Sequence, residues 1–168
     1  GNIGEAQDFY SLITSVEILE EKKFKFYIIG EGRYKSKFQR IVNSKNLESK
    51  IIFIDHQDIN DVFAYANQAD LLFLSLKNEE IFQHTLPAKL SMYMSIGKPI
   101  LAMISGEANN LINNSKIGIA VESGDYVNLA KVISNFLEKR YNIDKMGKNS
   151  KHVYETKFKS ELRKKQLI

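Results

Sequence analysis

The 168-residue chain has no cysteine and no tryptophan, and only two prolines and nine glycines. Without cysteine there is neither a disulfide framework nor a thiolate nucleophile, and a reducing compartment is permitted. So little proline and glycine excludes a low-complexity chain. No apolar stretch is long enough to span a bilayer, and the chain does not open with the basic and hydrophobic run of a signal peptide. His56, His84 and His152 lie far apart without metal-ligand spacing. The dinucleotide fingerprint G-x-G-x-x-G, the P-loop and the G-x-S-x-G nucleophile elbow are all missing.

What is present is a globular composition, 43% hydrophobic with ten Phe and eight Tyr, in a length that suits one compact domain. The net charge of +4 is unevenly spread. Lys145 to Ile168 carries eight Lys/Arg against Glu155 and Glu161, so everything upstream is slightly acidic. The aromatics sit in hydrophobic runs and no RNA-binding or helix-turn-helix pattern accompanies the basic end, so no nucleic acid partner is expected. Peripheral contact with an anionic membrane is the alternative to a solvated helix surface, and Arg163, Lys164 and Lys165 are its candidate residues.

Helix and strand patterns alternate along the chain. Asp8–Glu21 spaces Phe9, Leu12, Ile13, Val16 and Leu19 helically, and "KFKFYIIG" then reads as a strand closed by Gly30. A helix with Phe38, Ile41 and Val42 on one face precedes the strand "KIIFID"; one with Val62, Phe63 and Ala66 precedes "DLLFLSL". "PILAMI" and "GIAVES" are the later strands, and Asp125 caps a helix carrying Leu129, Val132, Ile133, Phe136 and Leu137. Near-continuous apolar strands between amphipathic helices predict a doubly wound parallel sheet of about five visible strands. "GNIGEAQ" is loop chemistry with no strand ahead of it, so a strand is expected before Gly1.

In such a sheet ligands bind beyond the C-terminal ends of the strands. "GNIGEAQ", "GEGR", "DHQD" and "LKNEEIFQHT" should therefore share one edge. Glycines allow close backbone approach and a helix start offers free amides to an anion, so a nucleotide diphosphate is a sensible occupant. Thr85 and Pro87 read as the start of a helix, with Thr85 capping its first amides and Lys89 one turn in to neutralise phosphate. Leu90 and Met94 should form that helix's core face while Met92 points elsewhere. Glu79 and Glu80 read as solvated loop charge.

Residues "FYIIGEGRYKSKF", "IIFIDHQDINDVFAYANQADLLFLSL" and "TLPAKLSMYMSIGKPILA" resemble the C-terminal half of family 4 (group 1) bacterial glycosyltransferases, especially the amino-sugar transferases of capsule and lipopolysaccharide assembly. The resemblance covers nearly the whole chain. It implies the GT-B fold, in which two Rossmann-like domains face each other and the second binds a nucleotide-sugar; residues 1–168 would be that donor domain, with 141–168 as a C-terminal helical extension. The implied activity is transfer of a hexosyl or N-acetylhexosaminyl unit from a UDP-sugar to a lipid-linked saccharide held by an N-terminal domain, without a metal or other cofactor. The isolated domain would be inactive. The expected location is cytoplasmic, at the inner face of the membrane.

By the same resemblance Gly1, Asn2, Gly4 and Glu5 lie near the diphosphate, Gly30, Gly32 and Arg33 at the next strand end, and Ile54 and His56 near the nucleobase. His84, Thr85, Leu86 and Lys89 would face diphosphate and sugar, with Lys89 and His84 as the catalytic pair. The family's two glutamates, eight positions apart, fall on His84 and Met92, and a thioether cannot accept ribose hydroxyls as a carboxylate does. That departure opens two other readings: a degenerate, non-catalytic nucleotide- or protein-binding module, and a sugar-nucleotide epimerase of related fold.

Overall fold

Asp8 starts the first helix, its carboxylate accepting from the Ser11 amide at 3.4 Å, and α1 runs over Phe9–Ile18. Phe9, Leu12, Ile13, Val16 and, just past the helix, Leu19 are all buried, the face that the spacing predicts. The computed structural model describes residues 1–159. Helix and strand then alternate as β1 (Phe26–Ile29), α2 (Lys35–Ser44), β2 (Ile51–Ile54), α3 (Ile59–Gln68) and β3 (Leu72–Ser75). A short α4 (Glu80–Gln83) precedes α5 (Ala88–Ile96), β4 (Ile100–Met103), α6 (Glu107–Asn114), β5 (Gly118–Val121), α7 (Tyr126–Leu137) and α8 (Ile143–Val153).

All the described strands run parallel, so their C-terminal ends share an edge, as expected. They form two groups. β1 pairs with β2, Phe26 opposite Ile51, and β3-β4-β5 pair in that order, Leu72 opposite Ile100 and Ile100 opposite Gly118. The facing edges of β1 and β3 have no partner strand among the described residues. In a doubly wound order a strand occupies such a slot. Phe26 and Phe73 meet across it edge to face, ring centroids 5.4 Å apart. The Tyr93 hydroxyl donates to the Phe73 carbonyl at 3.1 Å, and burial pushes that phenol's pKa up to about 12.

β4 shows why the sheet is doubly wound. Leu101 and Met103 pack into one core with Leu12 and Val16 of α1, Phe38 of α2 and Leu129 of α7. Ile100, Ala102 and Ile104 pack into the other with Leu90 and Met94 of α5, Ile112 of α6 and Val153 of α8. All four β4 residues are buried, so alternation sends its side chains to both faces. Each fully buried aliphatic contributes about 1.5 to 3 kcal/mol.

Three local expectations need correction. The segment read as a loop around Glu79 and Glu80 contains the single helical turn α4, too short to leave a periodic signal. α5 starts at Ala88 with Pro87 as its N-cap, so Pro87 is not the first helical residue and Thr85 does not cap the helix. Leu137 ends α7 in an exposed position instead of joining the core. Asp125 does cap α7, accepting from the Asn128 amide at 3.0 Å, and Gly97 closes α5. Arg163, Lys164 and Lys165 lie outside the described residues.

Candidate functional site

Residues 1–7 cross the C-terminal edge of the sheet between β1 and β3, and their backbone is gripped from both sides. Asn2 bridges to Glu31, the Ile3 amide donates to the Glu31 carbonyl at 2.8 Å, and the Tyr34 amide donates to Ile3 at 3.2 Å. On the other side the Lys77 amide donates to Ala6 at 2.8 Å and the Ser75 hydroxyl to Gln7. Gly30 and Gly32 make this crossing feasible. A Cβ on Gly30 would lie 1.8 Å from the Gly1 carbonyl oxygen, and one on Gly32 would lie 2.2 Å from that of Ile3. The approach these glycines permit is therefore, in this structure, that of the chain's own opening turn. The Gly4 amide is also occupied, donating to Gln7 Oε1 at 2.8 Å.

The helical half of the site differs. The first-turn amides of α5 start at Ala88, behind an N-cap that supplies no side-chain acceptor. Lys89, on that turn, reaches back to Gly1: a Cβ there would meet its Cε at 2.7 Å and its Nζ at 2.8 Å. Two segments 88 positions apart in sequence thus meet where the resemblance puts the diphosphate. Burial alone holds the Lys89 pKa below the ordinary lysine value, and among the described residues no carboxylate counters it. A desolvated ammonium without a counter-ion favours an incoming anion.

The other candidates are brought together less closely. The Gly30 amide donates to the Ile54 carbonyl at 3.0 Å, placing Ile54 beside the glycine turn, while Arg33 and His56 are exposed. His84 is exposed at the end of α4, and the Thr85 hydroxyl donates to the Ile81 carbonyl at 3.1 Å, satisfying a group left open by α4. Leu86 lines a cavity of about 320 Å³ with Glu107, Leu111 and Phe158. Leu90 and Met94 are fully buried and Met92 only half, so the expected core face holds. Among the described residues no cluster of three or more His, Asp or Glu converges as a metal site would require.

Sequence reasoning missed the residues that fix this edge. Lys35, almost fully buried, holds Glu31 and Asp55 at 2.6 Å each, tying the loops after β1 and β2 together. Those two carboxylates raise its pKa, Asp55 first. The i,i+4 spacing of Glu31 and Lys35 was a readable signal. The pairing of Glu5 with Tyr34 and Lys77 spans 72 positions and left no local trace.

The sequence matches the family described as glycosyl transferases group 1 over residues 1–153. No curated protein matches it. Among solved structures, Anabaena Alr3699/HepE in complex with UDP superposes with a TM-score of 0.78 at 15% identity, over 100% of this chain and 47% of that one. WaaG, a glycosyltransferase involved in lipopolysaccharide biosynthesis, gives 0.77 at 18%, over 99% and 44%. The C-terminal domain of a group 1 family protein (LpcC) from Francisella tularensis gives 0.77 at 19%, over 94% and 83%. The chain spans less than half the length of the first two and most of the isolated C-terminal domain. Its fold is the Rossmann-like, parallel-sheet arrangement of the GT-B type, consistent with a C-terminal, donor-binding half. A family match over 153 residues, on a sheet whose glycine turn and lysine-bearing helix meet at its C-terminal edge, places the chain among the group 1 glycosyl transferases.

Proposed function

We propose that the chain is the nucleotide-sugar-binding half of a glycosyltransferase that takes a UDP-sugar, of hexosyl or N-acetylhexosaminyl type, and passes the sugar to a lipid-linked saccharide in capsule or lipopolysaccharide assembly. The observation that carries this reading is Lys89: desolvated, without a carboxylate, and set against Gly1 at the start of α5. UDP named in the HepE complex supports the choice of donor. The bond between the anomeric carbon and the diphosphate oxygen breaks as a bond to the acceptor oxygen forms. Lys89 and the α5 amides take up the charge developing on the leaving diphosphate, with His84 alongside. The acceptor proton goes to a base on a second domain.

Gly1, Asn2, Gly4 and Glu5 border the diphosphate in this reading. Gly30, Gly32, Arg33, Ile54 and His56 lie toward the nucleobase, Thr85 and Leu86 toward the sugar, and Met92 in the place of the ribose-binding carboxylate. The reaction needs no metal here. Among the described residues no helix is long and apolar enough to cross a membrane. Contact with the lipid-linked acceptor is, in this reading, peripheral and on the cytoplasmic side. A UDP titration followed by NMR tests the site: amides of Asn2–Glu5 and Thr85–Lys89 should shift together, and silence in both segments at millimolar UDP rejects it. Met92 favours a second reading, a nucleotide-binding module that has lost transfer. Sugar transfer by the full-length protein, measured with a UDP-sugar and a lipid-linked acceptor, decides between the two.

A further inference from the structure

Glu5 sits in the middle of the turn assigned to the diphosphate, and a carboxylate there repels an anion unless its charge is engaged. Both of its oxygens are in use. Oε2 accepts from the Tyr34 hydroxyl at 2.7 Å, and Oε1 accepts from Lys77 Nζ at 2.8 Å. Tyr34 precedes α2 on the β1 side of the slot, while Lys77 follows β3 on the other. Glu5 is thus a side chain of the opening turn that spans both walls, and its bonds run alongside the backbone bonds from Tyr34 to Ile3 and from Lys77 to Ala6. Tyr34 is itself steadied, since Lys37 lies 5.4 Å from the centroids of both its ring and that of Tyr10.

We infer that Glu5 is a positioning residue: its carboxylate clamps the Gly1–Gln7 turn between the two halves of the sheet and holds it in shape for the diphosphate without touching the nucleotide. The inference rests on the proposed nucleotide site. Charge supports it, because Lys77 neutralises the carboxylate and the pair presents little net field to a phosphate. The Lys77 hydrogen bond, followed by that of Tyr34, holds the Glu5 pKa below the usual carboxylate value; in turn Glu5 raises that of Tyr34. Glu5 is 58% exposed and Lys77 31%, so solvent screens the pair and global stability gains little from it. Its effect falls on the local opening of the turn, where small energies decide whether the ligand meets an ordered or a mobile backbone.

The test sets clamp against charge. Glu5→Gln removes a negative charge, so an electrostatic role would make UDP bind tighter. A clamp predicts binding weaker by about three- to tenfold, the cost of ordering one turn on binding, with uridine changed by less than about twofold. Calorimetric titration of both ligands reads the difference. Lys77→Met should weaken UDP similarly, and the double variant should be no worse than either single change. UDP binding that is unchanged or tighter in Glu5→Gln, or losses that simply add, overturns the clamp. Should Glu5→Gln fail to fold, Tyr34→Phe removes one hydroxyl and should weaken UDP by about twofold, with no change counting against the clamp.

Amide exchange separates this inference from the reading beneath it. Faster exchange of the Ile3 and Gly4 amides in Glu5→Gln, with a melting temperature within about 4 °C of the parent, supports a local clamp. Unaltered exchange overturns it. A parent protein that binds no UDP rejects the nucleotide site, while the exchange result still decides whether Glu5 orders the turn.

Discussion

The two halves of the site are built on opposite principles. In the glycine half, the Ile3 and Gly4 amides already have partners, and the space beside Gly30 and Gly32 is filled by the chain itself. In the helical half, the first turn of α5 has no side-chain cap and Lys89 has no carboxylate. Loop glycines at a sheet edge are therefore not by themselves ligand contacts. Here one half sets the geometry and the other is left open, and the open half is where binding energy is to be sought.

The largest expected effect attacks the closed half. Gly30→Ala or Gly32→Ala drives a methyl into backbone 1.8 or 2.2 Å away, and Gly30 also has φ of +141°. Neither neighbour is a flexible side-chain tip, so each change should cost about 3 kcal/mol or more, read as a lower melting temperature. A variant as stable as the parent would show that the turn is not packed as described.

The open half should respond in the opposite way. Lys89→Met should weaken UDP by about tenfold or more while stability holds or rises, because a half-buried charge with no carboxylate partner among the described residues is removed. Uridine, lacking the diphosphate, should lose little. The pH dependence has a definite sign. The folded-state pKa of Lys89 lies below its unfolded value, so at neutral pH the buried ammonium costs stability, and that cost fades as pH rises from the lowered value toward 10.5. Bound diphosphate pulls the pKa back up. UDP binding should therefore take up protons, and weaken, in that alkaline window; Lys89→Met should show neither.

The smallest effect belongs to Met92, half-buried between the two behaviours. If it occupies the ribose position, Met92→Glu should tighten UDP by about 1 kcal/mol after desolvation. If the thioether serves packing, the same change lowers the melting temperature and leaves UDP binding as it was.

Much of the fold was legible because its signals are local. The α1 face, the Asp125 cap, Gly97 at the end of α5 and the five apolar strands are all written within a few residues of where they act. The meeting of Lys89 with Gly1 followed from topology, since parallel strands put their following loops on one edge. The rest was set by partners far along the chain. Thr85 looked like a helix cap until α4 supplied the Ile81 carbonyl, and nothing near Gly30 in sequence shows that Gly1 packs against it. The bonds of Glu5 to Tyr34 and Lys77 could not be read, because no spacing rule matches either residue to it.

The crossing of residues 1–7 carries a consequence for how the molecule comes apart. Along the line between β1 and β3 lie the 1–7 crossing, the Phe26–Phe73 ring contact and the Tyr93 hydroxyl, and α1 and α7 pack together on one face. The crossing acts as a rivet: while it is seated, and with one core running from Phe38 and Ile51 to Leu101 and Met103, β1-β2 and β3-β4-β5 open as one cooperative unit.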